Sequence, residues 1–158
     1  MHQPVYIGVV FDREMTLVEH VTTICKTCFL QLRNIAKIRD SLSQKDTEIL
    51  VHEFISSKLD SCNSLLYGLP QSLIDRLQAV QNCATLLVNR SRKHDHIMPI
   101  LKQLHWLPMY SCIKYKIFKA LHGLAPSYIT EILQPYKPSR SLQSSCKGLL
   151  TVQYHQKY

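Results

Sequence analysis

The chain has 158 residues, of which 46% are hydrophobic and only 4 are glycine. That is enough apolar material for the core of one domain and excludes wholesale disorder, while so little glycine disfavours a hairpin-rich sandwich or barrel. A net charge of +8 and a pI near 9.3 point to a polyanionic partner, nucleic acid before a membrane surface, and no apolar run approaches the ~20 residues that span a bilayer.

Residues Val5 to Phe11 are β-branched and aromatic, and Asp12 closes them. They predict one strand of about seven residues. Nothing later in the chain is an obvious pairing partner, so the strand reads as part of a sheet whose other strands lie elsewhere. No signal peptide is evident in Met1 to Val10, which predicts an intracellular chain, cytoplasmic or nuclear, with free thiols at its six cysteines.

From about Met15 to Arg39, Leu17, Val21, Ile24, Cys28, Leu32, Ile35 and Ile38 recur in steps of three and four, the pattern of an amphipathic helix. Lys26, Arg33 and Lys37 align on another face, because steps of seven and four keep helical residues in register. Such a stripe can track a phosphate backbone, or it can be a solvated face with no partner. Cys25-Lys26-Thr27-Cys28 has the C-x-x-C spacing but falls inside the helix and lacks a second ligand pair, which speaks against zinc or redox chemistry.

The best-patterned stretch runs from Ser43 to Val88 as two helices joined by the corner Tyr67-Gly68-Leu69-Pro70. Ser43 and Asp46 form a capping-box-like start. Leu50, Phe54, Cys62 and Leu66, flanked by Val51, Ile55, Leu59 and Leu65, are the expected apolar face of the first helix. Gly68 suits a helix end and Pro70 a helix start. Leu73, Ile74, Leu77, Val80, Ala84, Leu87 and Val88 give the second helix its stripe. So short a corner makes the two helices neighbours with facing stripes.

Arg90, Arg92 and Lys93 place three positive charges in four residues after the hairpin, either as a nucleic-acid contact or as a plain basic loop at a helix end. A short helix follows over Ile97 to Leu104, with Pro99 in its first turn. Trp106, the only tryptophan, reads as a core anchor. Ile113, Ile117, Leu121 and Leu124 mark a further helix decorated by Lys114, Lys116 and Lys119 and stopped by Gly123 and Pro126. Ser127 to Leu133 predicts a last short helix. Serine, lysine and glutamine then dominate, so Pro138 to Tyr158 reads as disordered.

Several blocks occur in an order that resembles a known family. They are Gly8-Val9-Val10-Phe11-Asp12, a helix opening around His20-Val21, Lys58-Leu59-Asp60-Ser61-Cys62-Asn63-Ser64-Leu65-Leu66-Tyr67-Gly68-Leu69-Pro70, Leu77-Gln78-Ala79-Val80-Gln81-Asn82-Cys83-Ala84, Leu104-His105-Trp106-Leu107-Pro108 and Lys119-Ala120-Leu121-His122-Gly123-Leu124-Ala125-Pro126-Ser127-Tyr128-Ile129. The order resembles the C-terminal part of reverse transcriptases from jockey-like non-LTR retrotransposons. The resemblance implies a region that follows the polymerase palm. The family's catalytic motif, an aromatic residue, alanine and two adjacent aspartates, would lie upstream of Val5. This chain has no adjacent aspartate pair, and two-metal nucleotidyl transfer needs such carboxylates. The chain departs from the family at Ser61 (usually tyrosine) and at Thr85-Leu86 (usually alanine and arginine). It also lacks about four apolar residues between Ile117 and Phe118, roughly one helical turn.

The fold expected is mainly α, an array of five to six helices with one short N-terminal strand and a disordered C-terminal tail. Residues 1–12 would be the strand of a palm-like sheet, 13–136 a helical thumb-like domain and 137–158 the tail. The function expected is that of a catalytically inactive retrotransposon remnant that binds RNA or DNA nonspecifically, with Lys26, Arg33, Lys37, Arg90, Arg92, Lys93, Lys114, Lys116 and Lys119 as contacts and no cofactor. The alternative is a helical module that binds a protein partner through its strand and an under-covered helical face.

Overall fold

The computed structural model describes residues 5–6, 9–10, 16–61, 63–92 and 95–124. Two compact units divide the chain, Met1–Ile113 and Lys114–Tyr158. The helix expected over Ser127 to Leu133, the tail from Pro138, Cys62 and Lys93 lie outside the described residues.

The described residues are mainly helical, as their periodicity dictates. The single seven-residue strand is not supported. In its place β1 (Val5–Tyr6) pairs antiparallel with β2 (Val9–Val10), in the register Val5 to Val10 and Tyr6 to Val9. A lone strand leaves its amides and carbonyls without partners, and folding back supplies them locally. Val9 is buried.

Helix α1 (Val18–Ile38) follows Leu17, whose backbone is left-handed at φ 57°. Its buried face is Val21, Cys25, Cys28, Leu32 and Ile35, with His20 beside it. Two expected core positions shift. Ile24 is half-buried and Ile38 is 51% exposed. Steps of four and three from Val21 lead through Ile35 to Arg39, so Arg39 takes the buried position that Ile38 was expected to hold.

Helix α2 (Gln44–Val51) starts at Ser43, whose hydroxyl accepts the Asp46 amide at 3.1 Å and donates to Asp46 Oδ2 at 2.6 Å. The helix then widens into a π turn over His52–Ser56, where the Ser57 amide reaches back to the His52 carbonyl, and continues as α3 (Ser57–Asp60). The buried line along this segment is Thr47, Val51, Ile55 and Leu59, each four residues after the last. In a regular α-helix, steps of four drift by about 40° each. A π turn carries extra residues and offsets part of that drift, so one line stays on the core. Phe54, expected inside, is 44% exposed, and Leu50 is half-buried.

Gly68 takes the left-handed conformation expected of it, with φ 83°, and Pro70 stands just before α4 (Gln71–Asn89). Leu73, Ile74, Leu77, Val80, Ala84 and Val88 of α4 are buried. This helix is the hub of the first unit: it packs most extensively on α1 and also on α2, the π turn and α5 (Ile97–Gln103). Helix α6 (Met109–Leu121) begins in the first unit. Gln78 Oε1 accepts the Met109 amide at 2.8 Å, so an α4 side chain caps the start of α6. Gln81, also buried, donates to the Leu107 carbonyl at 2.9 Å.

Candidate nucleic-acid interface

Lys26, Arg33 and Lys37 all stand on the exposed side of α1, opposite the buried line from Val21 to Ile35. The helix rise puts the outer two about 16 Å apart. Leu30, 54% exposed, lies among them, and Phe29, 40% exposed, flanks them. The only carboxylate of α1 is Glu19, in its first turn and outside the span from Lys26 to Lys37. This surface can neutralise several phosphates in a row while Leu30 offers an apolar contact.

The other expected contacts separate into different roles. Arg90 ends α4 in the left-handed conformation, at φ 52°. Its guanidinium Nη2 reaches the Arg39 carbonyl at 3.3 Å and the Leu42 carbonyl at 3.4 Å. Arg92 is exposed, and its amide donates to Asp95 Oδ2 at 2.7 Å, which sets a carboxylate beside it. Lys114, Lys116 and Lys119 belong to the second unit. Lys114 is exposed and Lys116 half-buried. Lys119 lies with its Nζ 4.8 Å from the centre of the Tyr115 ring, a cation–π arrangement.

Arg39 was not among the expected contacts. It is only 6% exposed, and its guanidinium donates to three carbonyls: Nε to Leu87 at 2.9 Å, Nη1 to Leu42 at 2.9 Å and Nη2 to Val88 at 3.0 Å. Leu87 and Val88 are in the last turn of α4, where carbonyls lack intrahelical partners and the helix dipole favours a cation. Burial and the neighbouring Arg90 both lower the Arg39 pKa from its usual value, and Asp40 partly opposes them. The signal was present in the sequence, since Arg39 falls in step with Leu32 and Ile35 on the apolar line.

A cleft of about 150 Å³ opens beside the π turn and is lined by His52, Ser56, Asp60, Trp106 and Cys112 among others. The His52 ring meets Trp106 edge-on at 5.2 Å between centroids, and its Nε2 is 3.7 Å from Glu48 Oε1. The Cys112 thiol donates to the Leu107 carbonyl at 3.2 Å. The His52 ring therefore lies toward Trp106 and Glu48. Trp106 is half-buried at the rim of this cleft.

Cys25 and Cys28 are buried free thiols within α1. Desolvation pushes the Cys28 thiol up to about 11, with Cys25 adding to the rise, and burial raises Cys25 as well. Neither is a reactive thiolate near neutral pH. Among the described residues, no group of three His, Cys, Asp or Glu side chains is placed to hold a metal ion, and no helix is long and apolar enough to cross a membrane. Comparison of the chain with protein-family models, with curated proteins and with solved structures finds no match.

Proposed function

We propose that this chain is a thumb-like helical segment related to jockey-like retrotransposon reverse transcriptases, and that it holds nucleic acid through the phosphate backbone without performing nucleotidyl transfer itself. The observation that carries the reading is the α1 stripe: Lys26, Arg33 and Lys37, all exposed on the side away from the core. Order of the sequence blocks supports the family, and the missing aspartate pair supports a noncatalytic role. Contacts of this kind read charge and spacing, so the binding is nonspecific in sequence.

The test is fluorescence anisotropy of the full chain with single-stranded RNA and DNA oligonucleotides across a salt series. Binding at low salt should weaken steeply as salt rises. The triple substitution Lys26→Ala, Arg33→Ala and Lys37→Ala should flatten the log–log salt slope by about 2, since each single-strand phosphate contact contributes about 0.7. Absence of low-salt binding, or a slope that the substitutions leave alone, would sink the proposal.

A second reading, a module for a protein partner, rests on the groove between α1 and α4. It is lined by Thr22, Cys25, Lys26, Phe29, Arg76 and Ala79, with Phe29 partly exposed at its edge. A complex that survives high salt and is lost on Phe29→Ala would favour it over the first.

A further inference from the structure

We propose that the cleft between the residues leading into α2 and the end of α4 binds a phosphate group through Arg39 and Arg90. This cleft has a volume of about 310 Å³, and Arg39, Ser43, Gln44, Asn89 and Arg90 are among its lining residues. It is separate from the α1 stripe, because Arg39 faces α4 while Lys37 faces solvent.

Charge is the first argument. Two guanidinium groups share this cleft, and among the described residues no carboxylate lies within 4 Å of either. Among the described residues, every hydrogen bond that Arg39 and Arg90 make through their side chains goes to a backbone carbonyl, which answers their geometry but carries no full negative charge. A buried cation beside a second cation is costly unless an anion compensates both. The nearby carboxylates do not take that place: Asp46 Oδ2 accepts from the Ser43 hydroxyl, and Asp40 acts on Arg39 only at longer range.

Donor geometry is the second argument. A guanidinium has five N–H groups in a planar fork, and Arg39 uses three of them on carbonyls. Among the described residues Arg90 makes two long contacts, both from one nitrogen, so most of its fork remains for an oxyanion. The Gln44 amide opens α2, where first-turn amides have no intrahelical acceptor. Phosphate suits this set better than a carboxylate. It offers more acceptor oxygens and up to two charges for two cations, and the cleft leaves room for an attached sugar.

A free phosphate and the terminal phosphate of a nucleic acid share this chemistry. The experiment is isothermal titration of the full chain with inorganic phosphate at constant ionic strength, followed by competition with a 5′-phosphorylated oligothymidylate and with the same oligomer lacking that phosphate. Arg90→Gln should weaken phosphate binding at least tenfold while leaving the melting temperature in chloride close to that of the unmodified chain. Gln44→Glu, which sets a carboxylate into the cleft without touching either arginine, should do the same. It keeps the proposal testable if Arg90→Gln fails to fold. Competition by the phosphorylated oligomer alone assigns the site to a nucleotide phosphate, and competition by neither oligomer assigns it to free phosphate. No saturable heat beyond a chloride control, or equal affinity in the parent and both variants, overturns the proposal. The α1 substitutions should leave phosphate binding intact, so failure here and failure of the salt-slope test are separate results.

Discussion

Two sets of cations lie along the same stretch of chain. Lys26, Arg33 and Lys37 project from the open side of α1, whereas Arg39, two residues beyond Lys37, turns inward and holds three carbonyls at the start of α2 and the end of α4. The first set is exposed and lies off the buried face of α1. The second is part of the packing itself. A count of positive residues therefore says little about how many are available for binding. Arg90 falls between the two sets: one nitrogen of its guanidinium reaches carbonyls of the corner between α1 and α2, while the residue itself stays exposed.

Substitution on the two faces should separate them cleanly. The largest effect is expected from Arg39→Met, which keeps the length of the stem but removes the guanidinium donor to the carbonyls of Leu87 and Val88 and leaves that of Leu42 with only its long contact from Arg90. A loss of about 2–4 kcal/mol is expected in urea unfolding, from hydrogen bonds to a charged group and the orphaned acceptors they leave. A loss below about 1 kcal/mol would show that water replaces the guanidinium, and the contrast between the two faces would then weaken.

His20 provides the next test, because it shares the inward side of α1 and is 5% exposed. Desolvation lowers its pKa from 6.5. Between that lowered value and 6.5 the unfolded chain binds a proton that the folded chain does not. Stability should therefore fall as pH drops through 6.5, with no further loss from this group once pH is below its folded pKa, and it should be flat in this respect above about 7.5. The measurement is the melting temperature across pH in the parent and in His20→Phe. The difference between the two curves should grow toward acid, and parallel curves would contradict the assignment.

The smallest effect on stability belongs to the stripe. Lys26→Ala, Arg33→Ala and Lys37→Ala should each change the unfolding free energy by no more than about 0.5 kcal/mol, the usual range for exposed positions. The same changes are expected to flatten the salt slope of nucleic-acid binding. A large stability loss would mean that these side chains have structural partners, and their binding effect could no longer be read as lost contact.

Much of the fold was legible because local patterning and turn chemistry agree. The three- and four-residue steps of α1 and α4, the Ser43–Asp46 start of α2 and the left-handed Gly68 each express a rule that acts within a few residues. The failures occur where distant contacts decide. Phe54 and Val51 are equally apolar, and only a π turn at His52–Ser56 determines that Val51 and Ile55 face the core while Phe54 does not. The apolar run after Val5 has the composition of one long strand, yet pairing within itself is what satisfies its backbone.

The candidate site divides in the same way. That Lys26, Arg33 and Lys37 share an exposed face follows from helical periodicity alone, since every residue on one helix has a fixed angular relation to the others. That Arg39 and Arg90 meet across a cleft is a tertiary fact, because residues 48 and 51 positions apart are brought together only when α4 packs back on the α1–α2 corner. Sequence determined the helices, their polar and apolar faces and the cations they carry. Packing decided which of those cations became structural, because only the folded chain presents a buried helix end that needs a positive charge.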